Sequence, residues 1–158
     1  MRDSVKNLPL YQKAEEIYDT LKIITGLFPE DNDHLQHLKI NLLEDIMVIL
    51  AKISGAEAVK LYDIKMENAA IIRKAAREIM VSGHSLEMFG FTDSKYYKLI
   101  RNLIEEFRIL FVDWVAGFNP KHFIVDEWGL FNPPGITPDY IQRDDELNFL
   151  DEDEDDEF

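Results

Sequence analysis

Apolar residues recur at steps of three and four through most of the first 120 positions, and this period constrains the fold more than any other feature of the chain. Leu10, Ala14, Ile17, Leu21 and Ile24 share one stripe of a 3.6-residue helix. Phe28-Pro29 ends that segment, because proline disfavours helical geometry in its predecessor. A second segment is predicted from Pro29-Glu30, with Asp31 and Asp33 favourable at a helix N-terminus. Its stripe is Leu35, Leu38, Leu42, Ile46, Ile49 and Ile53, widened by Leu43, Met47 and Leu50, and Ser54-Gly55 reads as its end. A third runs from Glu57 to Val81 on Leu61, Ile64, Ile72, Ala75 and Ile79. Ser82-Gly83 reads as its break, and His84 to Thr92 as a connection. The fourth opens with Thr92 or Asp93 as N-cap and continues through Ile100, Leu103, Phe107, Phe111 and Trp114 to Asn119-Pro120. No strand-like alternation of comparable length competes. Four helices of roughly 18–26 residues with short connections predict an all-α, up-down-up-down antiparallel four-helix bundle over residues 1–119.

A chain of 158 residues is long enough for one real core. Its lack of cysteine excludes disulfides, thiolate metal sites and cysteine nucleophiles. No run of about 18 apolar residues exists, and the opening MRDSVKNLPLY lacks the apolar centre of a secretion signal. The expectation is a cytoplasmic protein without membrane contact.

The formal charge of −14 is unevenly placed. Residues 1–120 carry 15 bases and 18 acids, whereas residues 121–158 carry 2 bases and 13 acids. The body is nearly balanced, so the net charge does not exclude nucleic-acid binding by the helices. Arg73, Lys74 and Arg77 fall within about 100° of each other on the third segment, and Lys98, Arg101 and Arg108 within about 80° on the fourth. If the two faces adjoin, they form a positive stripe suited to phosphates; the alternative is a solvated face neutralised by Glu78 and Glu105. His34 and His37, with Asp33 nearby, have the spacing of a helical metal pair. No second ligand motif accompanies them, so neither a metal nor a cofactor is predicted.

Residues 120–143 hold Phe123, Ile124, Val125, Trp128, Leu130 and Phe131 before Asn132-Pro133-Pro134-Gly135, and read as an irregular extension docked on the bundle or on a neighbouring subunit. Residues 144–158 read as an acidic disordered tail, with carboxylates at seven of the last eight positions before Phe158. Phe149, Leu150 and Phe158 are candidate anchors for a protein partner, with the surrounding charge steering the encounter. Such a tail resembles the acidic, aromatic-ended tips of bacterial and phage single-stranded-DNA-binding proteins.

The string LPLYQKAEEIYDTLKIITGLFP, Leu8 to Pro29, resembles the opening of the four-helix-bundle family encoded within intervening sequences of bacterial 23S rRNA genes. Leu8, Leu10, Tyr11, Lys13, Ala14, Phe28 and Pro29 carry the likeness. The later KYYKLIRNLIEEFRILFVDWVAGF is similar to the last helix of the branch that holds the accessory variability determinant of diversity-generating retroelements. The likeness covers residues 8–118. The chain departs from the rRNA-insert branch at LKINLLEDIMVILAKISG, and nothing matches after Pro120. The resemblance implies a non-enzymatic homo-oligomer, a pentamer in the retroelement branch, whose partners are nucleic acid and a reverse transcriptase. A second likeness implies different chemistry. Arg77 and His84 fit the Arg-x(4–6)-His pattern of HEPN ribonucleases, in which Arg and His handle a scissile phosphate.

Overall fold

A computed structural model describes residues 2–152. Five α-helices follow one another: α1 (Arg2–Lys6), α2 (Pro9–Gly26), α3 (Asp33–Glu57), α4 (Tyr62–Met88) and α5 (Ser94–Ala116). The four long ones form the expected bundle. α2 packs on α3, α3 on α4, α4 on α5, and α5 closes the ring on α2, while neither diagonal pair is in backbone contact. The short α1, which has no counterpart in the sequence reading, touches α2 and α3. The centres of the predicted stripes point inward, with Ile17, Leu21, Leu42, Ile46, Ile49, Ile72, Ile79 and Phe107 almost wholly buried, whereas Met47 faces outward and Leu61 and Ile64 are only partly buried.

The helix ends are set by particular side chains. Asn32, not Pro29-Glu30, caps α3: its Oδ1 accepts from the Leu35 N–H at 3.1 Å. Residues 29–31 go instead into a turn in which the Pro29 carbonyl accepts the Asn32 N–H. Asn32 also donates from Nδ2 to the Phe89 carbonyl at 2.8 Å, so one amide ties the start of α3 to the end of α4. Lys13 of α2 spans to Glu106 of α5 at 2.7 Å, which closes the ring on its other side.

Two predicted breaks are corrected. Ser54-Gly55 does not end α3, which continues to Glu57; Gly55 instead admits the Asn68 side chain of α4 close to its backbone. Ser82-Gly83 does not end α4, which continues to Met88. Gly83 is buried inside that helix, where a Cβ would meet the Tyr97 ring at 3.4 Å and Ile100 at 3.7 Å. Both glycines lie at helix contacts, where an added Cβ would meet its neighbour at ordinary van der Waals distance.

Beyond α5 the chain folds back over the end of the bundle. The Tyr62 N–H, one of the donors left open at the start of α4, bonds to the His122 carbonyl at 2.8 Å. Phe123 and Pro133 are buried, and the Gln142 amide bonds to the backbone of Phe123 and Val125. Asp144–Leu150 form a 3₁₀ helix, where the sequence predicts the start of a disordered tail. The cause is Phe149, buried and stacked on His122 with ring centroids 4.7 Å apart. Glu146 steadies the turn by accepting from the Arg143 N–H and the Tyr140 hydroxyl, each at 2.7 Å.

Asn32→Ala removes a cap and an inter-helix bond together. It should cost roughly 1–3 kcal/mol of unfolding free energy, read as a lowered urea midpoint at unchanged slope.

Candidate nucleic-acid interface

The contact of α4 with α5 decides which side chains share a surface. His84 Nε2 and the Tyr97 hydroxyl are hydrogen-bonded at 3.0 Å, and their rings lie 4.6 Å apart. This pair marks the outer seam between the two helices. At about 100° per residue, Arg73 and Arg77 lie within about 20° of His84 on α4, and Arg101 and Arg108 within about 40° of Tyr97 on α5. Two faces that the sequence could only place separately thus flank one seam. Lys98 lies farther out on the same side of α5. Arg73, Arg77, Lys98 and Arg101 are exposed and form no ion pair among the described residues. Arg108 pairs with Glu105 at 3.0 Å, so its charge is partly neutralised.

Lys74 turns toward the opposite flank of α4 and approaches Glu78 at 3.8 Å. That flank borders an open groove of about 820 Å³ between α3 and α4, whose walls include Glu44, Asp45, Glu78 and the stems of Arg73, Lys74 and Arg77. α4 therefore bears a basic crest between an acidic groove on the α3 side and a basic seam on the α5 side. Burial in the groove, then a hydrogen bond to Glu78, pushes the Asp45 carboxyl up to about 7; the charge on Glu44 adds to the rise and Lys74 opposes it. Asp45 thereby keeps its proton to higher pH than an ordinary carboxyl at the α3–α4 interface.

The other sequence candidates are placed differently. Tyr97, which lies off the apolar stripe of α5, packs on Gly83 and His84. His34 stacks on Phe89 at 5.1 Å, which accounts for it without a metal, and His37 is exposed. Phe149 is corrected from a partner anchor to a core residue of the extension, because its ring is committed to His122. Leu150 beside it remains exposed, and Phe158 lies outside the described residues.

The sequence reading missed a polar cluster at the end of the bundle. Trp114 Nε1 donates to Glu57 at 2.7 Å, and Lys65 Nζ donates to the Ala56 carbonyl at 2.7 Å while lying over the Phe118 ring. Burial lowers the Lys65 pKa, with Glu57 opposing. Lys65 here closes an open carbonyl in the last turn of α3, a structural role that a lysine four positions inside the next helix does not advertise.

The Asp45 carboxyl gives the fold a signed pH dependence. Its folded pKa is raised above the unfolded value, so its proton contributes stability at acid pH and that contribution fades as pH rises toward and through about 7. The urea midpoint of the wild type should fall between pH 5 and pH 8, and Asp45→Asn should flatten that fall.

No protein-family model, no curated protein and no solved structure matches the chain.

Proposed function

We propose that this protein is a non-enzymatic, self-associating helical adaptor that binds nucleic acid by its phosphates along the α4–α5 seam. The supporting observation is the gathering of Arg73, Arg77, Lys98 and Arg101, exposed and without an ion pair among the described residues, around one inter-helix seam of a body whose charges nearly balance. Cations gathered on one surface of a nearly balanced body favour a polyanion. From His84 to Arg73 the seam runs about 16 Å along α4, enough to meet several successive phosphates. Tyr97, half-exposed within the seam, offers a ring edge to an unstacked base, which favours single strands. The retroelement resemblance extends the proposal to a reverse transcriptase as the protein partner.

Fluorescence anisotropy with labelled single-stranded RNA and DNA over a salt series tests the reading. Arg77→Glu with Arg101→Glu should weaken binding at least ~10-fold and lower the salt slope by about 1.4, two contacts at about 0.7 each. Unchanged affinity in that double variant overturns the reading.

One observation favours a ribonuclease as the second reading. Because α4 is unbroken, Arg77 and His84 lie on one face about 10.5 Å apart along the axis, with His84 oriented by Tyr97. An acid–base His beside a phosphate-holding Arg is chemically competent for RNA cleavage. The adaptor reading expects no cleavage of labelled RNA by the wild type, and nucleic-acid affinity retained within ~3-fold in His84→Ala. Cleavage that His84→Ala abolishes would establish the enzyme instead.

A further inference from the structure

Two parts of the chain carry opposite charge and lie within reach of each other. Residues 151–158 read DEDEDDEF, seven carboxylates in eight positions. Asp151 and Glu152 are exposed, and residues 153–158 lie outside the described residues. The extension offers them little neutralisation. Its two bases are Lys121 and Arg143, and Arg143 already pairs with Asp145 at 3.1 Å. Toward the same end of the bundle, Lys13 is held by Glu16 and Glu106, and Lys65 by the Ala56 carbonyl. The α4–α5 seam, by contrast, gathers Arg73, Arg77 and Arg101 with no ion pair among the described residues.

The acidic segment starts near the foot of that seam. Phe149 stacks on His122, and the His122 carbonyl accepts the Tyr62 N–H that opens α4. Arg73 lies about 16 Å up α4 from Tyr62, and Arg108 about 12 Å back along α5 from Ala116. The nine residues after Phe149 span about 30 Å when extended, enough to meet both arginines. His84, about 33 Å up α4 from Tyr62, lies beyond them. Acids of the bundle flank this path and do not line it: Asp63 and Glu67 lie about 80° and 120° round α4 from Arg73. Glu105 pairs with Arg108, but an exposed pair of this kind is weak enough to be exchanged for other carboxylates.

We propose that residues 151–158 dock on the foot of the α4–α5 seam, around Arg73 and Arg108, and compete there with nucleic acid. This rests on the phosphate-binding reading of the seam. The segment presents what a nucleic-acid strand presents, a row of closely spaced anions, but on a tether. A short tether gives an effective concentration of roughly 1 mM, so a contact with a Kd of ~0.1 mM is occupied about nine-tenths of the time. Nucleic-acid affinity then falls about tenfold, in proportion to the seam left open.

The chain has no cysteine, so a nitroxide attached through Glu157→Cys is the only label on the full chain. Without nucleic acid, it should broaden the amide resonances of residues 70–77 in α4 and 105–112 in α5. Added salt should remove the broadening, as should Arg73→Glu with Arg108→Glu, and so should a single-stranded oligonucleotide. In a second variant, amides replace the carboxylates of residues 151–157. Its oligonucleotide affinity at low salt should rise about tenfold in fluorescence anisotropy. No broadening at the seam overturns the docking, even if affinity rises, because long-range repulsion alone would then explain the gain. Broadening that bound oligonucleotide leaves in place, or affinity unchanged in the amide variant, overturns the competition. Oligonucleotide bound by neither the full chain nor the amide variant overturns the seam reading itself, and the competition with it.

Discussion

The close approach of α4 and α5 at Gly83 is the contact on which the rest of the arrangement depends. The Tyr97 ring lies against α4 there, and the helix runs on through Gly83 to Met88. Those extra turns carry His84 to the Tyr97 hydroxyl and Phe89 to the Asn32 cap. The length of α4, the seam with α5 and the tie back to α3 thus meet at this end of the bundle. A Cβ at Gly83 would stand at ordinary van der Waals distance from Tyr97 and Ile100, and only a side chain that reaches beyond Cβ toward them would crowd the ring.

Charge is sorted by this packing. α4 stands between two neighbours, and its basic crest meets carboxylates on the α3 side and further bases on the α5 side. On the α3 side, burial and the neighbouring Glu78 and Glu44 raise the Asp45 carboxyl to about 7, so the groove carries less negative charge at neutral pH than its carboxyls suggest. On the α5 side Arg73, Arg77, Lys98 and Arg101 form no ion pair among the described residues, and surface charges in that condition are available to an external polyanion. The extension concentrates its acids away from the bundle core, yet its inner face is apolar and ordered around Phe123, Pro133 and Phe149.

The four-helix ring was legible because 3.6-residue periodicity survives in each segment: the stripes Leu10–Ile24, Leu35–Ile53, Ile72–Ile79 and Ile100–Phe107 are the buried faces. The boundaries at Gly55 and Gly83 were not. A glycine that ends a helix and one that admits a neighbour look alike in one dimension, and only the partner, Asn68 or Tyr97, distinguishes them. The basic residues could be named and assigned to faces, but which faces adjoin depends on the order of helices around the ring. Phe149 was hidden by its acidic surroundings, since its partner His122 lies 27 positions away in sequence. The pinned loop at Asp126 left a weak trace, an Asp two positions before Trp128-Gly129, whose three accepted N–H groups are visible only in the fold.

The central claim is that phosphates are held along the α4–α5 seam. Amide chemical shifts followed by nuclear magnetic resonance, while a short single-stranded oligonucleotide is added to the full chain, test it most directly. The account predicts shifts concentrated in residues 73–84 of α4 and 97–108 of α5, fading as salt is raised. Shifts centred on α2 and α3, or none at low salt, would contradict it.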